Sequence, residues 1–221
     1  MFKNKFFFGA FIIATTIGSI SAGVRGGEAW SRLDGPRTEM SKPNITLGNR
    51  GCCNVTLSVD LRHSGHHSGN WGGLLANPGI ILAHAIASIV DGKGKILVEG
   101  WRPKIPPHVR EVLTGIDREA GANAPKIDDT WGEPGLSRIE KVTAFNTFEV
   151  LAFETGNPDK PVNAVPPKAR AVCQLRYVDG TDEANIEANL KQHLAERGFH
   201  QVKVEPPPAS NNGRFYASRT D

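Results

Sequence analysis

The chain has 221 residues, of which 39% are hydrophobic and 22% are charged, a composition typical of a folded globular protein. Its formal net charge is only +3, and its basic residues are spread along the sequence, which argues against nucleic acid or an anionic membrane surface as the partner. The three cysteines, Cys52, Cys53 and Cys173, show neither Cys-x-x-Cys spacing nor the number that a disulfide framework requires. We therefore expect reduced thiols that fill apolar space.

Residues 1–30 differ from the rest of the chain. Lys3 and Lys5 precede an apolar run from Phe6 to Ile20, and small residues follow that run. This pattern is typical of a secretory signal peptide, and the run is too short to span a bilayer comfortably. The alternative is coding sequence without a function of its own. The first interpretation predicts a secreted or periplasmic protein, and the second a cytoplasmic one.

The first predicted strand runs from Arg50 to Arg62. Apolar and polar residues alternate there, so that one face carries Cys53, Val55, Leu57, Val59 and Leu61. After a glycine-rich loop, Asn77 as N-cap and Pro78 at the first helical position predict a helix to about Val90. Its expected apolar face consists of Ile81, Ala85, Ile86 and Ile89.

Residues 91–135 are expected to be an excursion from the core, with a short apolar run at 96–98 and a helix from Pro107 to Ile116. Two further strands are predicted, one over 147–155 and one over 169–177, joined by a proline-rich loop at 158–167. A helix from about Asp182 to Arg197, ended by Gly198, and a short strand over 201–204 complete the pattern.

The order strand, helix, strand, strand, helix, strand predicts an α+β fold of the ferredoxin-like type, with a four-stranded antiparallel sheet and both helices on one face. We place this domain at residues 50–206. Residues 31–49 are expected to lead into it, and residues 207–221, which show no periodic pattern, to leave it as extended chain.

The loop at 65–78 combines a His pair, Trp71 and four glycines immediately before a helix start. Histidines can donate hydrogen bonds to a developing negative charge, and glycines let the backbone approach a ligand closely. The spacing of His63, His66 and His67 also resembles that of metal ligands on a helix, but Ser64-Gly65 indicates a loop, where this spacing implies no common direction. A solvated surface histidine is the alternative to both functional interpretations.

Several motifs occur in order and together carry a resemblance. They are Leu47-Gly-Asn-Arg-Gly51, Asn77-Pro78, Trp131-Gly-Glu-Pro-Gly-Leu136, Glu149-Val-Leu-Ala-Phe153, Gly156-Asn-Pro158, Pro161-Val-Asn-Ala-Val-Pro-Pro167 and Cys173-Gln-Leu-Arg176. With them, residues 34–221 resemble the lid, or dimerisation, domain of the two-zinc metallopeptidases that include carnosine dipeptidases, glutamate carboxypeptidase and acetylornithine deacetylase. The resemblance implies a homodimer formed through the lid.

The resemblance also implies roles for four residues. His67 matches the family histidine that reaches into the partner subunit's active site and stabilises the oxyanion of the tetrahedral intermediate. Asn163 and Arg176 match the residues that hold the carboxylate end of a peptide or N-acyl amino acid substrate. Asp34, in Asp34-Gly-Pro-Arg37, matches a zinc ligand, although a turn is the commoner meaning of these residues.

The sequence departs from the family at the metal site. Intact members hold two zinc ions through a His-x-Asp motif, a Glu-Glu pair and further ligands, whereas the 221 residues contain neither motif. We therefore expect a truncated lid that binds no zinc and hydrolyses nothing by itself, or one that works with a catalytic-domain partner. The alternative is a secreted, non-catalytic binding module for ligands that carry a carboxylate.

Overall fold

The structure is a computed structural model that describes residues 50–116 and 125–206. The predicted leader at 1–30, the segment at 31–49 with Asp34, and the extended segment at 207–221 lie outside the described residues.

The described elements follow the predicted order. In chain order they are β1 (Gly51–Asp60), β2 (His66–His67), α1 (Ser68–Trp71), α2 (Pro78–Ile89), α3 (Pro107–Leu113), α4 (Arg138–Thr143), β3 (Thr147–Thr155), β4 (Ala164–Val165), β5 (Lys168–Tyr177), α5 (Ile186–Glu196) and β6 (Lys203–Glu205). Short 3-10 turns lie at Glu99–Trp101 and Glu183–Asn185. Among these helices, none has the length and apolar character needed to cross a bilayer.

The main sheet has the strand order β3-β5-β1-β6, and all neighbours are antiparallel. β1 and β5 pair along their full length, from Gly51 opposite Tyr177 to Asp60 opposite Lys168. β2 and β4 form a separate two-stranded ribbon. The predicted α+β, ferredoxin-like fold is confirmed.

The core lies between one face of this sheet and the helices α2 and α5. Alternate residues of β1 and β5 are buried, as the period of two predicted, and α2 packs against both strands and against α5. On α5, Ile186, Leu190 and Leu194 are buried as predicted, and Gly198 ends the helix with a φ of 80°. The other sheet face, formed by the polar alternate residues, is not covered by α2 or α5; we refer to it as the open face.

The start of α2 is confirmed, but its predicted apolar face was partly wrong. Asn77 caps the helix, since its Oδ1 accepts the Gly79 N–H at 2.9 Å. Leu82, which the predicted face omitted, is fully buried, whereas Ile81 and Ile86 are half-buried. The buried side of α2 is therefore turned toward Leu82 relative to the predicted face.

Part of the segment at 91–135, which was predicted to be an excursion from the core, is buried in the main core. Ile96, Val98 and Trp101 are buried in the main core, and the Trp101 indole N–H donates to the carbonyl of Ile186 at 3.0 Å. The helix predicted to reach residue 116 ends at Leu113 instead. Its buried end packs in a second, smaller cluster with Ile139 and Ala144.

Helix α4 is absent from the sequence prediction. A capping box marks its start, because the Ser137 hydroxyl accepts the Glu140 N–H and the Glu140 carboxylate accepts the Ser137 N–H. The Ser-x-x-Glu pattern could have identified this helix, but with six residues it is too short for a periodic apolar pattern to reveal it.

The cysteines are free thiols, as predicted. Cys53 and Cys173 are buried in the main core, and burial raises the pKa of Cys53 to about 11 and that of Cys173 to about 12. Cys52 is half-buried on the open face.

Candidate functional site

The glycine-rich loop is held by the ribbon of β2 and β4. His66 lies opposite Val165 and His67 opposite Ala164, and the Ser68 N–H donates to the carbonyl of Asn163 at 2.9 Å. The loop and the proline-rich connection before β5 therefore form one structural unit at the end of the sheet where β1 ends. His67 and Asn163 are neighbours within it, and both are exposed.

His67 is oriented by its own loop. Its Nδ1 accepts the Gly69 N–H at 3.1 Å, so in the neutral ring the proton resides on Nε2. A Cβ atom at position 69 would lie 2.9 Å from the His67 Cε1, which explains a glycine there. This leaves the Nε2–H of the exposed His67 ring as a hydrogen-bond donor.

The Arg62 side chain connects the two ends of this unit through hydrogen bonds. Its guanidinium donates to the carbonyl of Pro166 at 2.9 Å and to the carbonyl of Ala76 at 2.7 Å. The first carbonyl follows β4, and the second lies at the end of the glycine-rich loop. Sequence reasoning missed this role, because both acceptors are backbone atoms.

The surface of the unit is apolar as well as polar. The side chains of Trp71, Leu74 and Val162 are exposed, and the Trp71 ring lies edge-on to that of His66 with 6.0 Å between centroids. Exposed apolar side chains in the same unit as a donor such as His67 are suited to contact a ligand or another protein surface.

Arg176 lies at the opposite end of the sheet. It is half-buried on the open face, between Cys52 on β1 and Thr147 on β3. The predicted polar face of its strand is confirmed, because Arg170 and Gln174 alternate with buried residues there. The Arg176 Nε–H donates to the Gln174 Oε1 at 2.8 Å.

The carboxyl of Glu149 lies near this end of the sheet. Glu149 is the cross-strand neighbour of Gln174. Desolvation raises the pKa of Glu149, and the positive charge of Arg50 lowers it in part. Arg50 in turn donates to the Thr147 hydroxyl at 3.1 Å. Glu149 therefore interacts electrostatically with Arg50.

The structure does not bring the three predicted lid residues together in one chain. His67 and Asn163 lie beyond the start of β5, while Arg176 lies eight residues along that strand from Lys168. At a rise of ~3.3 Å per residue the separation is at least about 26 Å. One small substrate cannot span that distance.

No metal-binding group is present among the described residues. Within 50–116 and 125–206, no three His, Cys, Asp or Glu side chains converge in a manner that could hold an ion. His63, His66 and His67 accordingly form no such group. The described residues therefore do not supply the two-zinc site of the metallopeptidases that the chain resembles. Asp34 lies outside the described residues.

Comparison with protein families agrees with the fold. Residues 47–201 match the family described as "Peptidase dimerisation domain". Among curated proteins, the Beta-Ala-His dipeptidase of Rattus norvegicus is 26% identical over 193 residues, which cover 79% of this chain and 39% of the relative. A Cys-Gly metallodipeptidase of Saccharomyces cerevisiae is 39% identical over 66 residues, 30% of this chain and 14% of the relative. The chain thus spans well under half the length of these relatives.

Solved structures of two metallopeptidases contain a domain with a similar fold. A metallo-carboxypeptidase from Sulfolobus solfataricus superposes with a TM-score of 0.58 at 27% identity, over 79% of this chain and 40% of the other. Human carnosine dipeptidase 1 superposes with a TM-score of 0.55 at 22% identity, over 76% and 38% respectively.

Proposed function

The chain belongs to the family of peptidase dimerisation domains, and from this premise we propose that it is the dimerisation and substrate-binding lid of a zinc-dependent peptidase or amidohydrolase. The substrate class is a dipeptide or an N-acyl amino acid. The names of the relatives support a peptide substrate, since they are dipeptidases and a carboxypeptidase.

The edge of β3 is the proposed dimer surface and the observation that carries the proposal. β3 pairs with β5 on one side only, and Val150, Leu151 and Phe153 are exposed along it. Ile80 on the neighbouring helix α2 is exposed as well. A nine-residue edge strand with apolar side chains is a ready template for pairing with a second chain. The opposite edge, β6, has only three residues.

Two-fold pairing of β3 with a second β3 would assemble the separated site residues. Arg176 lies beside Thr147 at one end of β3, whereas Thr155 at the other end lies opposite Ala169, next to the ribbon that carries His67. In an antiparallel, isologous pair, the Thr147 end of one strand meets the Thr155 end of the other. Arg176 of one subunit and His67 and Asn163 of its partner would then lie at the same end of a continuous sheet.

Each residue has a chemical role in this arrangement. The planar guanidinium of Arg176 can engage a substrate carboxylate through two parallel hydrogen bonds, and the Asn163 amide can add a further one. The Nε2–H of His67 is a donor for an oxyanion that develops in acyl transfer. Zinc in the intact enzyme would activate water for attack. Asp34 is proposed as one of its ligands, and we assign no zinc-dependent step to the described residues.

Oligomeric state tests the proposal directly. We expect the purified chain to sediment as a dimer at tens of micromolar. Val150→Lys places an ammonium in the β3 edge of both subunits and should weaken dimerisation at least about tenfold, because two like charges would be desolvated together.

Val112→Lys is the matched control. Val112 is 55% exposed on α3 and Val150 is 42% exposed on β3, so the two substitutions are chemically identical at similar exposure. A strict monomer over this concentration range would contradict the proposal. Equal weakening by both substitutions would place the interface elsewhere.

A further inference from the structure

A chain of hydrogen bonds on the open face of the sheet ends at Arg176. The Arg176 Nε–H donates to the Gln174 Oε1 at 2.8 Å, and the Gln174 Nε2–H donates to the Asn54 Oδ1 at 2.9 Å. The Cys52 thiol donates to the same Asn54 oxygen at 3.5 Å. These contacts join neighbouring residues of β5 with the facing residues of β1.

The donor and acceptor atoms of these side chains determine the direction of the hydrogen bonds. Asn54 accepts from Gln174, so the Gln174 amide must turn its nitrogen toward β1 and its oxygen toward Arg176. That oxygen occupies only the Nε–H of the guanidinium. The N–H groups on the two Nη atoms are left for another acceptor, and no carboxylate within residues 50–116 and 125–206 forms an ion pair with them.

The neutrality of Gln174 is as important as its position. A carboxylate in its place would hold the guanidinium equally well, but it would also neutralise the charge that attracts a ligand carboxylate. An amide oxygen orients the guanidinium and leaves its full positive charge available. Asn54 orients Gln174 through its amide oxygen and, because it is also uncharged, leaves the charge of Arg176 unchanged.

We infer that Gln174, held by Asn54, is a positioning residue that fixes the Nε edge of Arg176, so that the two Nη groups face the carboxylate of the substrate. This inference rests on the proposed function, in which Arg176 anchors that carboxylate. It predicts that Gln174 determines affinity for the carboxylate although it does not touch it.

Nitrogen-15 NMR of the arginine side chains tests the inference in the purified chain. The Arg176 Nε–H signal, assigned by its loss in Arg176→Lys, should exchange slowly with water and shift as N-acetylglycine is added. In Gln174→Leu the exchange protection should be lost, and the affinity for N-acetylglycine should fall about fivefold, the effect of one lost hydrogen bond. Gln192→Leu, which removes an exposed glutamine paired with Glu196 on α5, is the control and should change neither.

Gln174→Glu separates orientation from charge. It keeps an acceptor for the Nε–H, so the exchange protection should remain, while the affinity should fall below that of Gln174→Leu because the added carboxylate neutralises Arg176. If the wild-type Arg176 signal shifts and Gln174→Leu binds N-acetylglycine as tightly as wild type, the positioning role is wrong and the anchoring role of Arg176 stands. If Arg176 does not respond to N-acetylglycine at all, the anchoring role itself fails.

Discussion

Asn146 should be among the most destabilising positions to substitute, because its buried amide joins three segments of the chain. Its side chain is 3% exposed, and its Nδ2 donates to the carbonyl of Trp101 at 2.8 Å while its Oδ1 accepts the N–H of Val178 at 2.8 Å. The Thr181 hydroxyl completes the set at 3.0 Å from the Nδ2. The excursion, the start of β3 and the turn after β5 therefore meet at one side chain.

Replacing Asn146 by Leu leaves two backbone groups without partners, the Trp101 carbonyl and the Val178 N–H. Each unpaired buried group costs roughly 1–3 kcal/mol, or about 4 kcal/mol for the pair. The burial of the leucine side chain returns about 1 kcal/mol, so the free energy of unfolding should fall by about 3 kcal/mol.

Thr181→Val provides the graded comparison, since it removes only the hydroxyl and leaves both backbone partners of Asn146 in place. We expect a loss of about 1 kcal/mol. Urea unfolding followed by circular dichroism measures both values, with an unchanged m-value as the sign that the denatured state is the same. A loss below about 1 kcal/mol for Asn146→Leu would contradict this role of Asn146, because it would mean that water or a rearranged backbone satisfies the two groups.

Three further substitutions test separate features. Arg62→Met removes both hydrogen bonds from the guanidinium to backbone carbonyls, so hydrogen exchange should accelerate in the ribbon of β2 and β4 while the sheet keeps its protection; uniform acceleration would indicate a global effect. Desolvation lowers the pKa of the buried His193 below its ordinary 6.5, opposed by a hydrogen bond to the Ser88 carbonyl, so the folded state binds fewer protons than the unfolded state. Stability should therefore decline as the pH falls below 6.5 toward the lowered pKa, and His193→Gln should flatten the decline in that window; an identical pH profile would contradict this. Gly51→Ala should cost about 2 kcal/mol or more because the new methyl group would collide with the buried ring of Tyr177, whereas Gly92→Ala, with open space around it, should be nearly neutral in the same unfolding measurement.

The sequence determined the local features of this fold. The strict alternation in β1 and β5 identified both strands and their buried faces, because successive side chains of a strand point to opposite sides. Asn77 and Gly198 marked helix ends, because an amide side chain can cap free N–H groups and glycine adopts a positive φ without strain. These features depend on residues that are close together in the chain, so a short sequence pattern is enough to predict them.

Contacts between distant segments of the chain became visible only in the folded domain. Nothing in the sequence shows that Trp101 fills the main core, that Arg62 spans two loops, or that Gln174 is bonded to Asn54, a residue 120 positions away. The resemblance assigned His67 to the active site of a partner subunit, and the fold shows that the length of a strand separates it from Arg176 of the same chain. A hydrogen bond or a packing contact between distant segments depends on strand order and register, which follow from the summed packing of the whole domain rather than from any periodicity along the chain.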